Sequence, residues 1–159
     1  AAAMQPGEVR VAGSGPLLHD AERAAAAGDI DYLGSISTAA VVDQLHRSIA
    51  LVVPSIWFEG FPLVLLQAYA TGTPVIATRI GSLAELVEDG VTGLLTRADD
   101  PEDLARQLRW AVDHPAEMAA QGVAARDRYV RRYRGASHLE SLLELYGSLT
   151  GRPTAVARA

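Results

Sequence analysis

Between Ala50 and Thr78 the chain reads Ala-Leu-Val-Val-Pro-Ser-Ile-Trp-Phe-Glu-Gly-Phe-Pro-Leu-Val-Leu-Leu-Gln-Ala-Tyr-Ala-Thr-Gly-Thr-Pro-Val-Ile-Ala-Thr, and this stretch leaves few folds open. Ala50 to Val53 is an uninterrupted apolar run, too short for a helix of ordinary length, and predicts a parallel strand buried on both faces. Pro54 ends it. A loop with one carboxylate, Glu59, leads to Pro62, whose fixed φ and missing N–H suit the first position of a helix reaching about Thr71. Gly72 closes that helix. Thr73-Pro74 then enters a second short apolar strand, Val75 to Ala77, which completes a strand-loop-helix-strand unit of the right-handed crossover type.

The loop leaving such a strand lies at the carboxyl edge of the sheet, where open α/β folds bind ligands, and it delivers free N–H groups at the start of the next helix. That combination favours a phosphate. Glu59 stands in the loop, free to point into the crevice, while Gln67 shares a helix face with Leu63 one turn further in. The aromatic pair Trp57 and Phe58 is expected to plug the loop against the core. A carboxylate beside these rings and strands is costly to desolvate without partners.

The same alternation continues on either side. Val9 to Ala12 reads as a strand, and Gly13-Ser14-Gly15-Pro16 as a turn into a helix over Leu17 to Ala27, with Pro16 near its first position. This turn is glycine-rich and phosphate-competent, and equally consistent with a tight turn that touches no ligand. A dinucleotide fingerprint requires a third glycine where Leu18 stands, so that pattern fails despite Asp29 and Asp31. Ile30 to Leu33 is the next strand, Gly34 to Ser37 a loop, and Thr38 to Arg47 a helix capped by Ser37 or Thr38.

Beyond Thr78, Arg79 is open to two roles, a diphosphate contact or a surface ion pair. Ser82-Leu83-Ala84-Glu85 has the capping-box spacing that opens a helix. Asp89-Gly90 and Thr92-Gly93 signal turns ahead of an edge strand at Leu94-Leu95. Asp100-Pro101-Glu102-Asp103 supplies a cap, a first-position proline and an acidic first turn. The helix it opens carries Leu104, Leu108 and Ala111 on one stripe and stops at His114-Pro115. A second helix is expected from Pro115 to Tyr133, with an arginine-rich solvated end. A third, Ala136 to Leu149, sets Leu139, Leu142, Leu143 and Tyr146 at helical spacing, which suits core or interface.

Composition removes several function classes. A chain of 159 residues can bury one good core. A net charge of −5 argues against nucleic acid or an anionic membrane surface as partner. There is no lysine, so no Schiff-base chemistry resides here, and no cysteine, so disulfides, thiol nucleophiles and thiolate metal sites are excluded together. His19, His46, His114 and His138 lack metal-ligand spacing, and no metal site is expected. No apolar run approaches the roughly 20 residues that cross a bilayer. A cytoplasmic location is the expectation.

Glu59-Gly60-Phe61-Pro62-Leu63-Val64-Leu65-Leu66-Gln67-Ala68, followed by Ala70-Thr71-Gly72-Thr73-Pro74-Val75-Ile76-Ala77-Thr78, resembles the signature of the retaining glycosyltransferases with the GT-B fold. These are the glycogen synthase-like, "glycosyl transferases group 1" enzymes, whose motif is a pair of glutamates. Here Glu59 is the first, and Gln67, with seven residues between them, stands at the second. The resemblance runs from about Val9 to Tyr146 and includes Val11-Ala12-Gly13-Ser14-Gly15-Pro16, Tyr32-Leu33-Gly34 and Glu85-Leu86-Val87-Glu88-Asp89-Gly90-Val91-Thr92-Gly93-Leu94-Leu95. It implies an α/β fold, a Rossmann-like parallel sheet with helices on both faces, forming the carboxyl-terminal half of a GT-B enzyme. Residues 9–150 would be the nucleotide-sugar-binding domain, 1–8 a linker or tag, and 151–159 a flexible tail. An amino-terminal acceptor domain, and an earlier strand and helix with a phosphate-binding Arg/Lys pair, would lie outside this chain. Without that domain the terminal helix would expose apolar surface and promote self-association.

By the same resemblance, Glu59 holds hydroxyls of the donor sugar and is the catalytic residue. Main-chain groups along Gly60, Phe61, Pro62, Leu63 and Val64 meet the sugar and phosphates, and Gln67 occupies the position that grips the ribose diol. Gly13, Ser14 and Gly15 line the donor site, the backbone of Ser35, Ile36 and Ser37 borders the nucleobase, and Gly81 and Ser82 stand nearby. The donor would be a UDP-, GDP- or ADP-sugar, with no further cofactor. The implied activity is transfer of a sugar to an acceptor hydroxyl with retention, and the chain on its own is expected to be inactive. Two alternatives stand beside it: a degenerate, non-catalytic lobe that binds nucleotide or a partner protein, and a nucleotide-sugar epimerase of related fold.

Overall fold

The structure is a computed structural model that describes residues 9–151. The expected linker over 1–8, and the tail beyond Gly151, lie outside the described residues; Gly151 itself closes the last helix. The chain divides between Gln44 and Leu45 into two compact units.

The first unit is built on two parallel strands, β1 (Arg10–Ala12) and β2 (Asp31–Gly34), with Arg10 opposite Asp31 and Val11 opposite Tyr32. An irregularity after Val11 brings Ala12 opposite Gly34. Helix α1 (Leu18–Ala27) connects them and α2 (Thr38–His46) follows. Helix α1 starts later than the sequence predicts. Pro16 falls in the preceding turn, because the amide of Leu18 bonds back to the Gly15 carbonyl at 3.0 Å and takes up two residues before helical bonding begins.

The second unit holds three parallel strands in the order β3 (Leu51–Val53), β4 (Val75–Thr78), β5 (Gly93–Thr96). Helices α3 (Leu63–Thr71) and α4 (Gly81–Leu86) link them, so strands and helices alternate as the α/β reading requires. All four residues of β4 and of β5 are buried, whereas in β3 only Val53 is. Burial on both faces thus holds for β4 and β5 and not for β3, the strand for which the sequence predicts it. Pro62 is the residue before α3 rather than its first: its ψ of 106° is extended, and helical bonding starts at Leu63. Gly72 ends α3 at φ 77°, a left-handed conformation that disfavours a side chain.

Past β5, Asp100 caps α5 (Pro101–Asp113) by accepting from the Asp103 amide at 2.8 Å, as its sequence predicts. The next helix, α6 (Pro115–Arg128), does not run regularly to Tyr133. It opens into a wider π turn over Tyr129–Tyr133, then a break at Arg134 precedes α7 (Gly135–Thr150). The core centres on Ile76, Leu94, Ala111 and Met118, with Leu104, Leu108 and Trp110 against it. Each large apolar side chain buried in this way contributes about 1.5–3 kcal/mol. On α7, Leu139, Leu142, Leu145, Tyr146 and Leu149 are exposed. Among the described residues no helix is long and apolar enough to cross a membrane.

Candidate functional site

In the first unit, the loops that follow β1 and β2 leave the same edge of the two-stranded sheet and are tied together there. The Gly13 amide donates to the Gly34 carbonyl at 2.8 Å, and the Tyr32 hydroxyl donates to the Gly13 carbonyl at 2.6 Å. Gly13, Ser14 and Gly15 are exposed, and among the described residues no heavy atom beyond the chain neighbours lies within 4 Å of where a β-carbon on Gly13 or Gly15 would stand. Across from this turn, Ser35 is exposed, Ile36 is half-buried and the Ser37 hydroxyl caps α2 by accepting from the Ala40 amide at 3.2 Å. Of the two capping candidates, Ser37 makes the bond.

In the second unit, the loop from Pro54 to Pro62 leaves the carboxyl end of β3 and is held by three hydroxyl groups. Thr78, the last residue of β4, donates from Oγ1 to the Ser55 carbonyl at 2.6 Å. Ser55 donates from Oγ to Glu59 Oε1 at 2.8 Å. Ser82, in the first turn of α4, donates from Oγ to the Glu59 carbonyl at 2.8 Å. Glu59 is half-buried, with one carboxylate oxygen engaged by a neutral donor. A carboxylate has about four lone-pair sites in all, so capacity remains for further donors.

The Ser82 bond corrects the capping-box reading. No side chain caps α4, whose preceding residue is Ile80 in extended conformation, and the hydroxyl goes to the loop instead. The expectation for the aromatic pair is also corrected. Trp57 is 63% exposed and Phe58 78%, because polar bonds rather than rings anchor this loop. Phe58 does lie against Gly81: a β-carbon there would sit 2.8 Å from ring atom Cδ1, and φ is +51°. Phe61 is partly exposed, its ring edge-on to Tyr133 at 6.2 Å between centroids.

Pro62 gives α3 no side-chain cap, and the amides of a helix's first turn have no carbonyl partner within the helix. The Leu65 amide turns back to the Pro62 carbonyl at 3.0 Å. Leu63 is exposed and Val64 half-buried at this start, and Gly60 is exposed just before it. Half-buried Gln67 follows one turn along the helix. Arg79 resolves to the ion-pair role: its guanidinium binds Asp89, whose other oxygen accepts from the Leu95 amide at 2.9 Å. The sequence reading singled out Glu59 but missed Ser55 and Thr78. A hydroxyl residue at or just beyond the carboxyl end of a strand is the signal that marks them.

A family model described as "Glycosyl transferases group 1" matches residues 2–114, most of the chain. This chain belongs to the glycosyl transferases group 1 family. A D-inositol 3-phosphate glycosyltransferase of Nocardiopsis dassonvillei is 31% identical over 134 residues, which are 84% of this chain but 31% of that protein. The chain therefore spans about a third of the length of this relative. Among solved structures, HepE of Anabaena in complex with UDP-glucose superposes with a TM-score of 0.76 at 21% identity, covering 87% of this chain and 40% of that one. The C-terminal domain of the group 1 family protein LpcC of Francisella tularensis superposes with a TM-score of 0.61 at 23% identity, covering 75% of this chain and 61% of that one. The fold is thus that of the C-terminal domain of GT-B glycosyltransferases, with parallel strands alternating with helices, as its motifs imply.

Proposed function

We propose that residues 9–150 are the donor-binding lobe of a retaining glycosyltransferase that moves a sugar from a nucleoside-diphosphate sugar to an acceptor hydroxyl. The observation that carries this reading is the Glu59 loop. It sets a half-buried carboxylate with spare acceptor capacity directly before an uncapped helix N-terminus. A sugar offers hydroxyl donors to the carboxylate. A diphosphate offers negative charge to free amides and to the positive end of the helix dipole, at the place where leaving-group charge develops during transfer. Membership of the group 1 family and the UDP-glucose complex of the Anabaena neighbour support the same ligand class.

In this reading Glu59 holds the sugar, the amides around Gly60 to Val64 meet sugar and phosphate, and Gln67 meets the ribose. For the first unit we propose its paired loops, Gly13 to Gly15 and Ser35 to Ser37, as a nucleotide-contacting edge. Turnover belongs to the full-length enzyme, which supplies the acceptor domain; the isolated lobe transfers no sugar.

Gln67 favours a second reading, a lobe that binds nucleotide without turnover. An amide accepts and donates at the ribose diol but loses the charge assistance of a carboxylate, about 1 kcal/mol per bond. Calorimetric titration of the full-length protein with UDP-, GDP- and ADP-glucose, followed by turnover of the donor that binds, separates the two. Transfer to an added acceptor, abolished by Glu59→Ala while affinity for the free nucleoside diphosphate is kept, supports the transferase, with Gln67→Glu tightening the nucleotide. Binding without turnover supports the second reading. Product formed without acceptor would indicate an epimerase, and absence of binding to all three donors and to free UDP, GDP and ADP would refute the donor-binding readings.

A further inference from the structure

We infer that Ser55, anchored by Thr78 and seconded by Ser82, is a positioning residue that fixes the Glu59 carboxylate for sugar recognition. This inference rests on the reading of Glu59 given above.

The loop from Pro54 to Pro62 has few apolar anchors, since Ile56, Trp57, Phe58 and Phe61 are all exposed. A glutamate side chain in such a loop samples many rotamers, and each is lost entropy when a ligand selects one. The hydroxyl chain removes that freedom in steps. Thr78 is itself buried at the end of the fully buried strand β4, so its bond at 2.6 Å ties the Ser55 carbonyl to a strand packed on both faces. With its backbone so held, Ser55 reaches four residues along the loop to Glu59 Oε1 at 2.8 Å. Ser82, in α4, holds the main chain of Glu59 at 2.8 Å. The carboxylate is thus fixed both at its backbone and at one of its oxygens.

The chemistry of the tether suits the task. Serine donates a hydrogen bond without bringing a charge of its own, whereas an arginine partner would set a positive charge against the carboxylate. Occupation of Oε1 turns the remaining lone pairs to the ligand in a set orientation. Preorganisation of this kind raises affinity by lowering the ordering cost rather than by adding a contact. Ser55 therefore acts through Glu59 and needs no contact with the sugar.

The test uses the full-length protein and calorimetric titration with UDP-glucose and UDP, or with the GDP or ADP pair if that is the pair bound. Ser55→Ala is expected to weaken the sugar nucleotide about tenfold, in line with a hydrogen bond to a charged group, and to leave the free diphosphate within about twofold. Ser55→Thr, which keeps the hydroxyl, restores most of the loss. Ser82→Ala gives the same pattern at smaller size. In a Glu59→Ala background, Ser55→Ala adds nothing. The inference is overturned if Ser55→Ala leaves sugar-nucleotide affinity intact, weakens both ligands equally, or adds its full effect on top of Glu59→Ala. If Glu59→Ala alone leaves sugar-nucleotide affinity unchanged, the reading of Glu59 itself fails and carries the positioning role down with it.

Discussion

Gly122, in the middle of α6, stands so close to Gly72 that a β-carbon on Gly122 would lie 2.2 Å from the Gly72 carbonyl oxygen and 3.3 Å from Pro74 Cδ. The two helices α3 and α6 meet backbone to backbone at this point. Gly122→Ala improves helix propensity by about 1 kcal/mol, yet the methyl has to push main chain aside. With overpacking at the upper end of its usual cost, about 3 kcal/mol, a net loss of about 2 kcal/mol in urea unfolding is expected. Gly135→Ala serves as the comparison, since nothing lies within 4 Å of its β-carbon position. A neutral Gly122→Ala would show that α6 is free to shift outward.

Tyr69 is fully buried, and its hydroxyl joins two elements: it donates to the Leu86 carbonyl at 3.0 Å and pairs with Thr92 Oγ1 at 2.7 Å. Because the one Tyr69 proton goes to the Leu86 carbonyl, Thr92 Oγ1 donates to the Tyr69 oxygen while accepting from the Glu88 amide at 3.0 Å. Tyr69→Phe strands both partners and should cost about 1–3 kcal/mol in chemical unfolding near neutral pH.

Burial raises the Tyr69 pKa above its ordinary value of 10.0, with the Thr92 bond acting the other way. A raised pKa in the folded state means that the native protein holds this proton more tightly than the unfolded chain does. Its contribution is whole below about pH 10 and is lost as pH rises through the folded value. Unfolding curves taken between pH 8 and pH 11 should therefore show a shallower alkaline decline for Tyr69→Phe than for the wild type. Identical slopes would mean that the phenol is not desolvated.

Asp103 behaves in the opposite sense. The Arg97 amide donates to its Oδ2 at 2.7 Å, which is the main cause of a pKa held below 3.8; burial opposes this, and Arg106 and Arg97 add to it. With the folded value depressed, the stabilisation is present above about pH 4 and is lost as pH falls through the folded value. Acid unfolding followed by circular dichroism should begin at higher pH, from an already less stable protein, in Asp103→Asn. An unchanged acid midpoint would remove Asp103 from the set of groups that govern acid stability.

Legibility in the sequence followed the range of the interaction. Gly72 and the Asp100-Pro101 cap were readable because helix ends are decided by a few neighbouring residues. Ser82 misled for the same reason: its spacing to Glu85 satisfies a local rule, but the hydroxyl found an acceptor 23 residues earlier. The Thr78 to Ser55 bond also spans 23 residues, and no spacing within one element announces it. Trp57 and Phe58 carried a hydrophobic signal that the polar anchoring of their loop overrode. Gly122 gave no signal at all, since a glycine inside a helix pattern reads as a weak point rather than as a contact.

One continuous stretch, from α6 through the π turn, grips α3 at both ends. Arg126 donates to the Ala70 carbonyl near the helix C-terminus at 2.6 Å, and Tyr133 meets Phe61 just ahead of its N-terminus. The stretch works as a splint laid along α3: sliding the helix along its own axis would break the Arg126 bond at one end or part the Phe61 and Tyr133 rings at the other, so the placement of Gln67 draws on residues far along the chain as well as on the hydroxyl bonds of its own loop.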